Sequence, residues 1–442
     1  MQKNSYFYDT YNILFNVLGK GAYLQIELNS ALTSGGENNK IITKLVYGVI
    51  EKNIELDNII SSLVTSKPKL PAVIMLKMGI YSLLFLNSIP DYAVCNEITE
   101  LAKTLGKQGI SGFINAVLNN VSRNKQLYLN KKYNAENSEI KNLSLKYSYP
   151  EWIIEKLLKT YSADFVSTIL QRNEPKTHIR VNKLKISEID FENKLTSNKI
   201  TFEKSHISGG YYVNYAAISR FSNLTAFYTV QSSGSMRVCH ALNVVKGESV
   251  LDVCSAPGGK SVYLHELGAT VIAWDIHPHR VSLIDSYAER LGASIVTAVK
   301  DATAYDEKYK GKYDYVLCDV PCSGLGVASK KADILINRKA DSLSELTTLQ
   351  AKIINTASNY VKSGGYLVYS TCTMLPEENE DIVSAFLKQN SDFEAENLKN
   401  IISVNAKSDF KLKKELRGEP FIQLFPNIDG EEGFFIARLK RI

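Results

Sequence analysis

The sequence predicts a protein of several domains, with an all-helical bundle followed by a small α+β module and a doubly wound α/β domain. Three patterns support this prediction. Apolar residues recur at helical spacing through residues 6–123, short strands and helices mix in residues 146–223, and strands alternate with helices from Val250 onward. With 442 residues, the chain is long enough for two or three domains that each bury a core of their own.

Residues 1–128 are predicted to form an all-α domain, and its helical pattern from Tyr6 to about Arg123 indicates six or seven helices. The stretch Ala72–Ile89 is apolar enough to suggest a membrane span, but it contains Lys77 and is followed at once by Pro90. We therefore expect a buried core helix there and no membrane partner. Apolar stripes at helical spacing mark further helices, as at Ile98, Leu101, Ala102 and Leu105.

Residues 129–145 are rich in Asn, Lys and Glu and have few large apolar side chains, so we predict a linker there. The α+β module, residues 146–223, is expected to begin with helices after Pro150. Strands are predicted at His178–Asn182 and Tyr211–Val213, with a helix between them near Asp190–Leu195.

Residues 224–442 are predicted to form a Rossmann-like, doubly wound and mostly parallel sheet. A helical stripe runs from Leu343 to Val361, and the apolar run Phe434–Leu439 predicts one more strand, antiparallel and at an edge. The other strands are predicted at Ser249–Val253, Thr270–Trp274, Ser294–Ala298, Tyr313–Cys318 and Tyr366–Ser370. In such sheets, ligands gather at the carboxyl ends of the strands.

The first of these strands is followed by a loop that is suited to a small cofactor. Its glycines let the backbone approach a ligand, and its end opens a helix. The loop has neither the G-x-G-x-x-G pattern nor the phosphate-loop spacing, so a dinucleotide or ATP is not the first choice. The predicted cofactor-binding residues of this loop are Cys254, Ser255, Ala256, Pro257, Gly258, Gly259 and Lys260.

Acidic residues follow the next strands. Asp275 ends the second strand, where a carboxylate can accept both ribose hydroxyls, and Asp301 follows the third, where it could hold an adenine amino group. An isolated aspartate is more often a helix cap or a turn residue. Together with Asp252 on the first strand and the glycine loop, these carboxylates favour S-adenosylmethionine, which offers a ribose but no phosphates.

Two cysteines lie just past the ends of predicted strands. Cys322 stands in Asp-Val-Pro-Cys-Ser-Gly (319–324) and Cys372 in Tyr-Ser-Thr-Cys-Thr (369–373). A buried cysteine is usually a small apolar residue, but a thiolate at a sheet's ligand edge can act as a nucleophile. A nucleotide-type cofactor beside two thiols suggests a covalent group transfer.

The six cysteines form no C-x-x-C pair and no zinc-type spacing with histidines, so we expect no metal site. Reduced thiols and the lack of a secretory signal favour the cytoplasm. The formal net charge of +6 is compatible with a polyanionic partner but does not require one.

The motifs of the third region resemble the signature motifs of RNA cytosine-5 methyltransferases. They are Ser-Ala-Pro-Gly-Gly-Lys (255–260), the two cysteine motifs, Pro-Glu-Glu-Asn-Glu (376–380) and Gly-Phe-Phe (433–435). The first region resembles the antitermination factor NusB, on motifs at residues 45–48, 89–97 and 112–118. The combination is similar to bacterial 16S ribosomal RNA cytosine-5 methyltransferases of the RsmB (Sun/Fmu) type.

The resemblance implies a role for each site residue. Cys372 would attack carbon 6 of the cytosine, and Cys322 would assist product release. Asp319 would hydrogen-bond the ring at nitrogen 3 and also lie beside the cofactor. Lys260 would orient the base or the methionine moiety and would lower a thiol pKa. In the α+β module, Arg180 and Asn182 are candidates for RNA backbone contacts.

The resemblance also implies a 16S ribosomal RNA substrate, either free or in an early assembly particle. It further implies an RNA-binding NusB-like domain, S-adenosylmethionine as cofactor and a monomeric enzyme. Two alternatives remain open from the sequence. A transfer RNA cytosine-5 methyltransferase would share the catalytic motifs, although the NusB-like region argues against it by analogy. A non-catalytic RNA-binding assembly factor would share the fold, although both thiols are intact. The chain departs from the family pattern at Ser232, Asn119 and the segment 329–333, none of which contains a thiol.

Overall fold

The computed structural model describes residues 5–32, 36–129, 137–172, 176–398, 401, 420–430 and 432–442. The chain divides into two compact units. The first contains residues 1–158 together with 330–340, and the second contains residues 159–329 together with 341–442. Every described strand lies in the second unit, so the predicted order of a helical region followed by mixed α/β structure is confirmed.

The helical unit is built around one buried helix, α5, with elements numbered in chain order throughout. Nearly every side chain of α5 is buried, as expected for a helix that is apolar on all sides. Its Lys77 donates to Asp57 Oδ2 at 2.8 Å, and burial lowers the pKa of Lys77 although Asp57 opposes this shift. The described helices of this unit are α1 (Tyr6–Lys20), α2 (Leu24–Ala31), α3 (Asn39–Glu51), α4 (Asn53–Leu63), α5 (Leu70–Phe85), α6 (Asp91–Thr104), α7 (Ser111–Arg123), α8 (Lys125–Leu129), α9 (Glu139–Tyr147), most of α10 (Glu151–Thr160) and α17 (Ile334–Asn337).

The core helix is therefore confirmed, and α1 to α7 agree with the six or seven helices predicted. In the part of the chain that the structure describes, no helix has the length and apolar character needed to cross a membrane.

The predicted linker is partly helical. Residues 130–136 lie outside the described residues, but α9 covers 139–147. Ser138 caps this helix by accepting a hydrogen bond from the Lys141 N–H at 3.2 Å. At its other end, Ser148 Oγ accepts from the backbone N–H of Ile54 at 2.9 Å. A polar surface helix of this kind is hard to distinguish from a linker by composition.

The segment 330–340 lies within the third region of the sequence, but it packs with the helical unit. Ala332 is 1% exposed and belongs to the apolar core of that unit. Asp333 accepts a hydrogen bond from the backbone N–H of Leu24 at 3.2 Å. The helical unit is therefore assembled from two separated stretches of chain.

The second unit begins with a small module built on an antiparallel sheet of order β2-β3-β1-β4. Its apolar core contains Ile179, Phe191 and Tyr211. The described elements of the module are α11 (Ala163–Ile169), β1 (Thr177–Val181), α12 (Glu188–Ser197), β2 (Phe202–Lys204), β3 (Gly210–Val213), α13 (Tyr215–Ile218) and β4 (Tyr228–Val230).

The prediction that Arg180 and Asn182 contact RNA is wrong, because both side chains are fully buried. Arg180 on β1 forms an ion pair with Glu266 of the following domain, and it donates to Gln231 Oε1 at 2.6 Å. Asn182 donates to the backbone carbonyls of Ala226 and Leu291 at 2.9 and 2.8 Å. Both polar side chains therefore join the module to the large sheet.

The large sheet has the strand order β10-β12-β9-β8-β5-β6-β7, with β11 paired to β12. The five strands from β9 to β7 pair in parallel, and the pairs that involve β12 are antiparallel. The described elements are α14 (Ser233–Leu242), β5 (Ser249–Asp252), α15 (Gly259–Glu266), β6 (Thr270–Asp275), α16 (Pro278–Leu291), β7 (Val296–Val299), β8 (Tyr313–Asp319), α18 (Ser342–Ser358), β9 (Val361–Thr371), α19 (Glu380–Gln389), β10 (Phe393–Glu396), β11 (Ile422–Leu424) and β12 (Phe434–Arg441).

Strand β12 is antiparallel as predicted, but it does not lie at an edge. It pairs with β9 on one side and with β10 and β11 on the other. All six residues of Phe434–Leu439 are buried, which is the pattern of a strand covered on both faces. The four consecutive apolar residues 434–437 were therefore a signal for an interior strand.

The order of the parallel strands reverses between β5 and β8. The chain runs from β5 outward through β6 and β7, and then returns to place β8 and β9 on the other side of β5. In an open α/β sheet, the crevice at such a reversal is the usual place for a ligand. The ends of β5 and β8, at Asp252 and Asp319, therefore border the candidate site.

We predict that the buried Arg180–Glu266 pair is essential to the stability of the second unit. Arg180→Met should lower the free energy of unfolding by about 3–5 kcal/mol, because it leaves a buried carboxylate without its cation. The double variant Arg180→Met/Glu266→Leu should recover most of this loss. Denaturant titration of the full chain measures both effects.

The matched control is Lys176→Met, which removes an ion pair of the same module between two largely exposed side chains, Lys176 and Glu203. This substitution should lower the free energy of unfolding by at most about 1 kcal/mol. If Arg180→Met lowered the free energy of unfolding no more than this control, the Arg180–Glu266 pair would not be essential to stability, and Arg180 could serve another role.

Candidate active site

The loop after β5 is held by the side chain of Asp252. This carboxylate is 1% exposed, and its Oδ2 accepts from Ser261 Oγ at 2.6 Å, which links the strand to helix α15. Ser255 donates through Oγ to the Asp252 carbonyl at 3.0 Å and through its N–H to the Trp274 carbonyl at 2.8 Å. Burial raises the pKa of Asp252 to about 6. Asp252 therefore has a structural position beneath the loop.

Gly258 turns the loop into α15. Its φ is +101°, a left-handed conformation that favours glycine, and a Cβ there would lie 3.1 Å from Ile284. A Cβ at Gly259 would meet nothing closer than 3.8 Å. The Gly259 carbonyl accepts from Gln231 Nε2 at 3.3 Å. The chain therefore packs tightly against Ile284 at Gly258 but leaves space beside the backbone at Gly259, the first residue of α15.

Asp275 lies at the end of β6 and is 3% exposed. Its Oδ1 accepts from the His277 N–H at 3.1 Å, and its Oδ2 lies 3.3 Å from Arg280 Nη1. Arg280 also donates to the Ala256 carbonyl at 3.2 Å. The carboxylate and the glycine loop are therefore tied together through one arginine.

Asp301 and Cys254 contribute less to the site geometry. Asp301 is exposed, and its Oδ1 accepts from the N–H and the Oγ1 of Thr303 at 2.8 and 2.7 Å, which is a turn-capping arrangement. Cys254 donates its N–H to Asp252 Oδ1 at 3.4 Å, and burial raises the pKa of its thiol well above the ordinary value.

Lys260 and Asp319 form an ion pair across the strand reversal. Lys260 Nζ lies 2.5 Å from Asp319 Oδ2, and Ser370 Oγ donates to Asp319 Oδ1 at 2.7 Å. Burial alone would lower the pKa of Lys260, but the attraction of Asp319 outweighs this effect and raises it. Lys260 is therefore a protonated donor whose charge is balanced by a carboxylate.

The two cysteines that follow β8 and β9 face each other. The Sγ atoms of Cys322 and Cys372 are 3.3 Å apart, and the Cys372 N–H points to Cys322 Sγ at 3.4 Å. A disulfide would bring the sulfurs to about 2.05 Å, so these are two thiols in contact. Cys322 is buried, whereas Cys372 is partly exposed.

Contact with Cys372 and burial together raise the pKa of the Cys322 thiol well above its ordinary value. Cys322 therefore keeps its proton and can donate it in a hydrogen bond to the sulfur of Cys372. The expectation that Lys260 lowers a thiol pKa is not met at this cysteine.

A backbone contact closes the loop of Cys322 against the C-terminal part of the sheet. Gly326 donates its N–H to the Cys372 carbonyl at 2.9 Å and accepts from the Gly433 N–H at 2.8 Å. A Cβ at Gly326 would lie 2.3 Å from the Gly433 carbonyl oxygen, so only glycine fits. The glycine before β12 is thus part of the site's framework.

Four predicted catalytic residues therefore meet at one edge of the sheet. They are Cys322, Cys372, Asp319 and Lys260. Asp275 lies with the glycine loop on the other side of β5, and Asp301 lies one strand further away. Analysis of individual residues missed Ser370 and Glu378. Both residues occur in motifs quoted above, and this was the available signal, whereas the burial of Glu378 is seen only in the structure.

Comparisons with known proteins find matches along nearly the whole chain. A family model described as 16S rRNA methyltransferase RsmB/F matches residues 239–440. The NusB family matches residues 10–123, and a ferredoxin-like domain of RsmF/B-like methyltransferases matches residues 149–210. The chain is 31% identical over 436 residues to the probable ribosomal RNA small subunit methyltransferase B of Bacillus subtilis (strain 168), which covers 95% of both chains.

Two solved structures are similar in fold. The crystal structure of PH0851 superposes with a TM-score of 0.79 at 22% identity, over 98% of each chain. A methyltransferase homolog protein from Pyrococcus horikoshii superposes with a TM-score of 0.58 at 26% identity, over 69% of this chain and 100% of that chain. With a catalytic sheet, a ferredoxin-like module and a helical unit all matched, the chain belongs to the RsmB/F family of 16S ribosomal RNA methyltransferases that carry an N-terminal NusB domain.

Proposed function

We propose that this enzyme methylates carbon 5 of a cytosine in 16S ribosomal RNA, with Cys372 as a covalent nucleophile. The observation that carries the proposal is the contact between the Cys322 and Cys372 thiols at 3.3 Å, beside the Lys260–Asp319 pair. The match to a 16S rRNA methyltransferase family favours ribosomal over transfer RNA. Two intact thiols in contact also favour an enzyme over a non-catalytic factor.

The chemistry explains why a nucleophilic thiol is useful here. Carbon 5 of cytosine is a poor nucleophile. Addition of the Cys372 thiolate to carbon 6 makes carbon 5 enamine-like, so that carbon 5 can take the methyl group. The new sulfur–carbon bond pushes the ring electrons toward nitrogen 3, where a positioned donor offsets the charge. After carbon 5 has taken the methyl group, its proton passes to water. The sulfur–carbon bond then breaks, and the electron pair returns to Cys372.

The contacts support different roles for the two thiols. Cys322 is buried, keeps its proton and can donate to the Cys372 sulfur. A protonated thiol beside the departing sulfur stabilises that sulfur as it leaves carbon 6. The more exposed Cys372 is the better placed to reach a base. We therefore assign attack to Cys372 and release to Cys322.

The Lys260–Asp319 pair is proposed to bind the base and its developing charge. Lys260 is a donor whose raised pKa keeps it protonated, so it can donate to the ring as negative charge forms. Asp319 is held by both Lys260 and Ser370, which fixes the pair relative to the thiols. We propose that Asp319 lies beside nitrogen 3 and orients Lys260 to donate there, because an ionised carboxylate cannot itself donate a hydrogen bond. Asp319 is also proposed to lie near the cofactor.

We propose S-adenosylmethionine as the cofactor, which supplies an electrophilic methyl group when bound. The residues fit a nucleoside without phosphates. The backbone at Gly259 has space beside it, and the buried Asp275 offers a carboxylate for ribose hydroxyls. The cations described beside this loop, Lys260 and Arg280, each face a carboxylate, so they are not available as a phosphate cluster.

A groove in the helical unit is the proposed place for an RNA strand. It has a volume of 780 Å³, and none of the described residues that line it is acidic. Lys67, Lys69 and Lys107 line it together with Phe113, whose ring is 39% exposed. Lysines for phosphates beside an exposed ring for stacking are the usual components of a single-strand site.

The first prediction concerns the cofactor. Asp275→Ala should weaken S-adenosylmethionine binding about 10–100-fold, because it removes charge-assisted hydrogen bonds of roughly 1.5–3 kcal/mol. Calorimetry on the full chain measures this change. Asp301→Ala is the control and should have the smaller effect, because Asp301 is exposed and caps a turn. An unchanged affinity in Asp275→Ala would remove this residue from the cofactor site.

The second prediction concerns the groove. Replacing Lys67, Lys69 and Lys107 together by Ala should weaken binding of unpaired ribosomal RNA and lower the slope of log K against log salt by up to about 2. Filter binding over a salt series gives both values. The control replaces the exposed lysines Lys20, Lys40 and Lys44, which removes the same charge from other helices. Equal slopes for the two triple variants would contradict a specific role for the groove.

The third prediction separates the two thiols. Cys372→Ala should abolish methylation and form no covalent complex with RNA. Cys322→Ala should still attack and methylate but release the product slowly, so a denaturant-resistant complex should accumulate on a denaturing gel. Unpaired RNA should be trapped faster than duplex, because the base must leave its stack. A trapped complex in Cys372→Ala alone would reverse the two roles, and unchanged rates in both variants would contradict the covalent mechanism.

A further inference from the structure

Glu378 is a fully buried carboxylate beside the two thiol loops. Its Oε1 accepts from the Ser323 N–H at 2.7 Å and from Gln350 Nε2 at 2.9 Å. Its Oε2 accepts from Ser323 Oγ. None of the ion pairs found among the described residues includes Glu378, so neutral donors hold this carboxylate. A buried charge in such a place needs a reason, because burial without a cation is costly.

The partners of Glu378 link it to both cysteines. Ser323 directly follows Cys322, and its hydroxyl lies 2.8 Å from the hydroxyl of Thr373, which directly follows Cys372. Gln350 also donates to the Pro321 carbonyl at 2.9 Å, on the other side of Cys322. One carboxylate thus holds the Cys322 loop from both sides and reaches the Cys372 loop through two hydroxyls.

The next residue, Asn379, fixes the second loop. Thr371 Oγ1 donates to Asn379 Oδ1 at 2.6 Å, and Asn379 Nδ2 donates to the Thr373 carbonyl at 3.3 Å. The residues before and after Cys372 are therefore held by the same short segment that carries Glu378. The two thiol loops share one anchor.

We propose that Glu378 is a positioning residue for the covalent reaction. It holds the Cys322 and Cys372 thiols at hydrogen-bonding distance from each other and places a negative charge beside Cys322. This inference rests on the proposed function in which Cys322 assists release as a protonated thiol. The charge matters because a nearby anion disfavours a second negative charge. Glu378 thereby keeps Cys322 in the form that stabilises the departing sulfur.

The surroundings of Cys322 support an electrostatic role for this carboxylate. The raised pKa of Cys322 has its largest causes in the contact with Cys372 and in burial, and the charge of Glu378 adds to both. Other titratable groups near Cys322 include Tyr369 on β9, whose hydroxyl donates to the Glu378 carbonyl at 2.6 Å, and Cys318 on β8. Asp319 is balanced by Lys260, whereas Glu378 has no ion-pair partner among the residues that the structure describes.

Two substitutions separate position from charge. In Glu378→Gln, the amide oxygen can still accept from Ser323 N–H and Gln350, and the amide group can donate to Ser323 Oγ, so the loops stay anchored without the charge. Glu378→Ala removes the anchor as well. Glu377→Gln is the matched control, because it removes an equal charge from the preceding residue.

The first readout is the alkylation rate of Cys322 by iodoacetamide over a pH series, followed by mass spectrometry on the full chain. Without the neighbouring charge, Cys322 should lose its proton at a pH lower by at least about one unit. At a fixed pH below both pKa values, Glu378→Gln should therefore react at least about tenfold faster than the native chain, and Glu377→Gln should not. A Glu378→Gln profile equal to the native profile would overturn the proposal, whatever the enzyme's reaction.

The second readout is the lifetime of the denaturant-resistant RNA complex. In Glu378→Gln, breakdown of the covalent RNA complex should begin to slow at a lower pH than in the native chain. The rate at which the complex forms should stay close to the native rate. In Glu378→Ala, formation should slow as well, and rescue by Gln but not by Ala shows that the anchor positions the thiols. A purely structural role for Glu378 would leave the pH dependence of release in Glu378→Gln unchanged, which would also overturn the proposal.

The covalent function and the role of Glu378 can be disproved independently of each other. If no covalent complex forms even in Cys322→Ala, the covalent function is wrong, and the alkylation profile still decides whether Glu378 controls the Cys322 proton. If Glu378→Ala does not fold, as a melting curve would show, the comparison of Glu378→Gln with Glu377→Gln decides the question alone.

Discussion

Strands β8 and β9 pair in parallel so that Asp319 lies opposite Ser370, and the rest of the active site depends on that register. Cys322 lies three residues after the end of β8 and Cys372 directly follows β9, so the register also sets how far the two thiols are from each other. Side chains alternate between the faces of a sheet, and a slip of one residue would turn Asp319 away from Lys260 and Ser370. The apolar residues along β8 and β9 are almost all buried, which makes such a slip costly.

Around this register, the charged groups of the site are either paired with an opposite charge or held by neutral hydrogen-bond donors. Lys260 is neutralised by Asp319, and Asp275 is paired with Arg280. Asp252 and Glu378 are instead held by hydroxyl, amide and backbone donors. Buried polar groups of this kind are tolerated only when they are hydrogen-bonded, and they then specify one arrangement of the surrounding loops. The site is therefore rigid at its base and open at the more exposed Cys372.

Much of the fold could be predicted because local patterns report on local structure. Helical spacing of apolar residues marked the bundle, and the alternation of strands and helices marked the doubly wound sheet. Strand ends carried the site residues, since parallel strands bring their carboxyl ends to one edge. For this reason Cys322, Cys372, Asp319 and Lys260 could be assigned to one place from the sequence, and the structure brings them together.

The errors came from partners that are distant in sequence. Arg180 looked like an exposed contact because a charge on a short strand usually is, but Glu266 and Gln231 bury it. The segment 330–340 is short and unremarkable in composition, and only the tertiary structure shows that Ala332 completes a different core. Glu378 was visible as part of a motif, yet its link to both thiol loops depends on Ser323 and Thr373, which are 50 residues apart.

The position of β12 has a consequence for the order in which the enzyme can be made. Strand β12 lies inside the sheet, between β9 and the edge strands β10 and β11, and Gly433 just before it closes the loop of Cys322 through Gly326. A ribosome synthesises Cys372 well before it reaches β12, so during that interval β9 lacks one of its two neighbouring strands. The loop of Cys322 then also lacks the hydrogen bond between Gly326 and Gly433. An enzyme that acts on ribosomal RNA therefore acquires its reactive centre only late in its own translation, and a nascent chain on the ribosome carries both cysteines without the arrangement that makes them a pair.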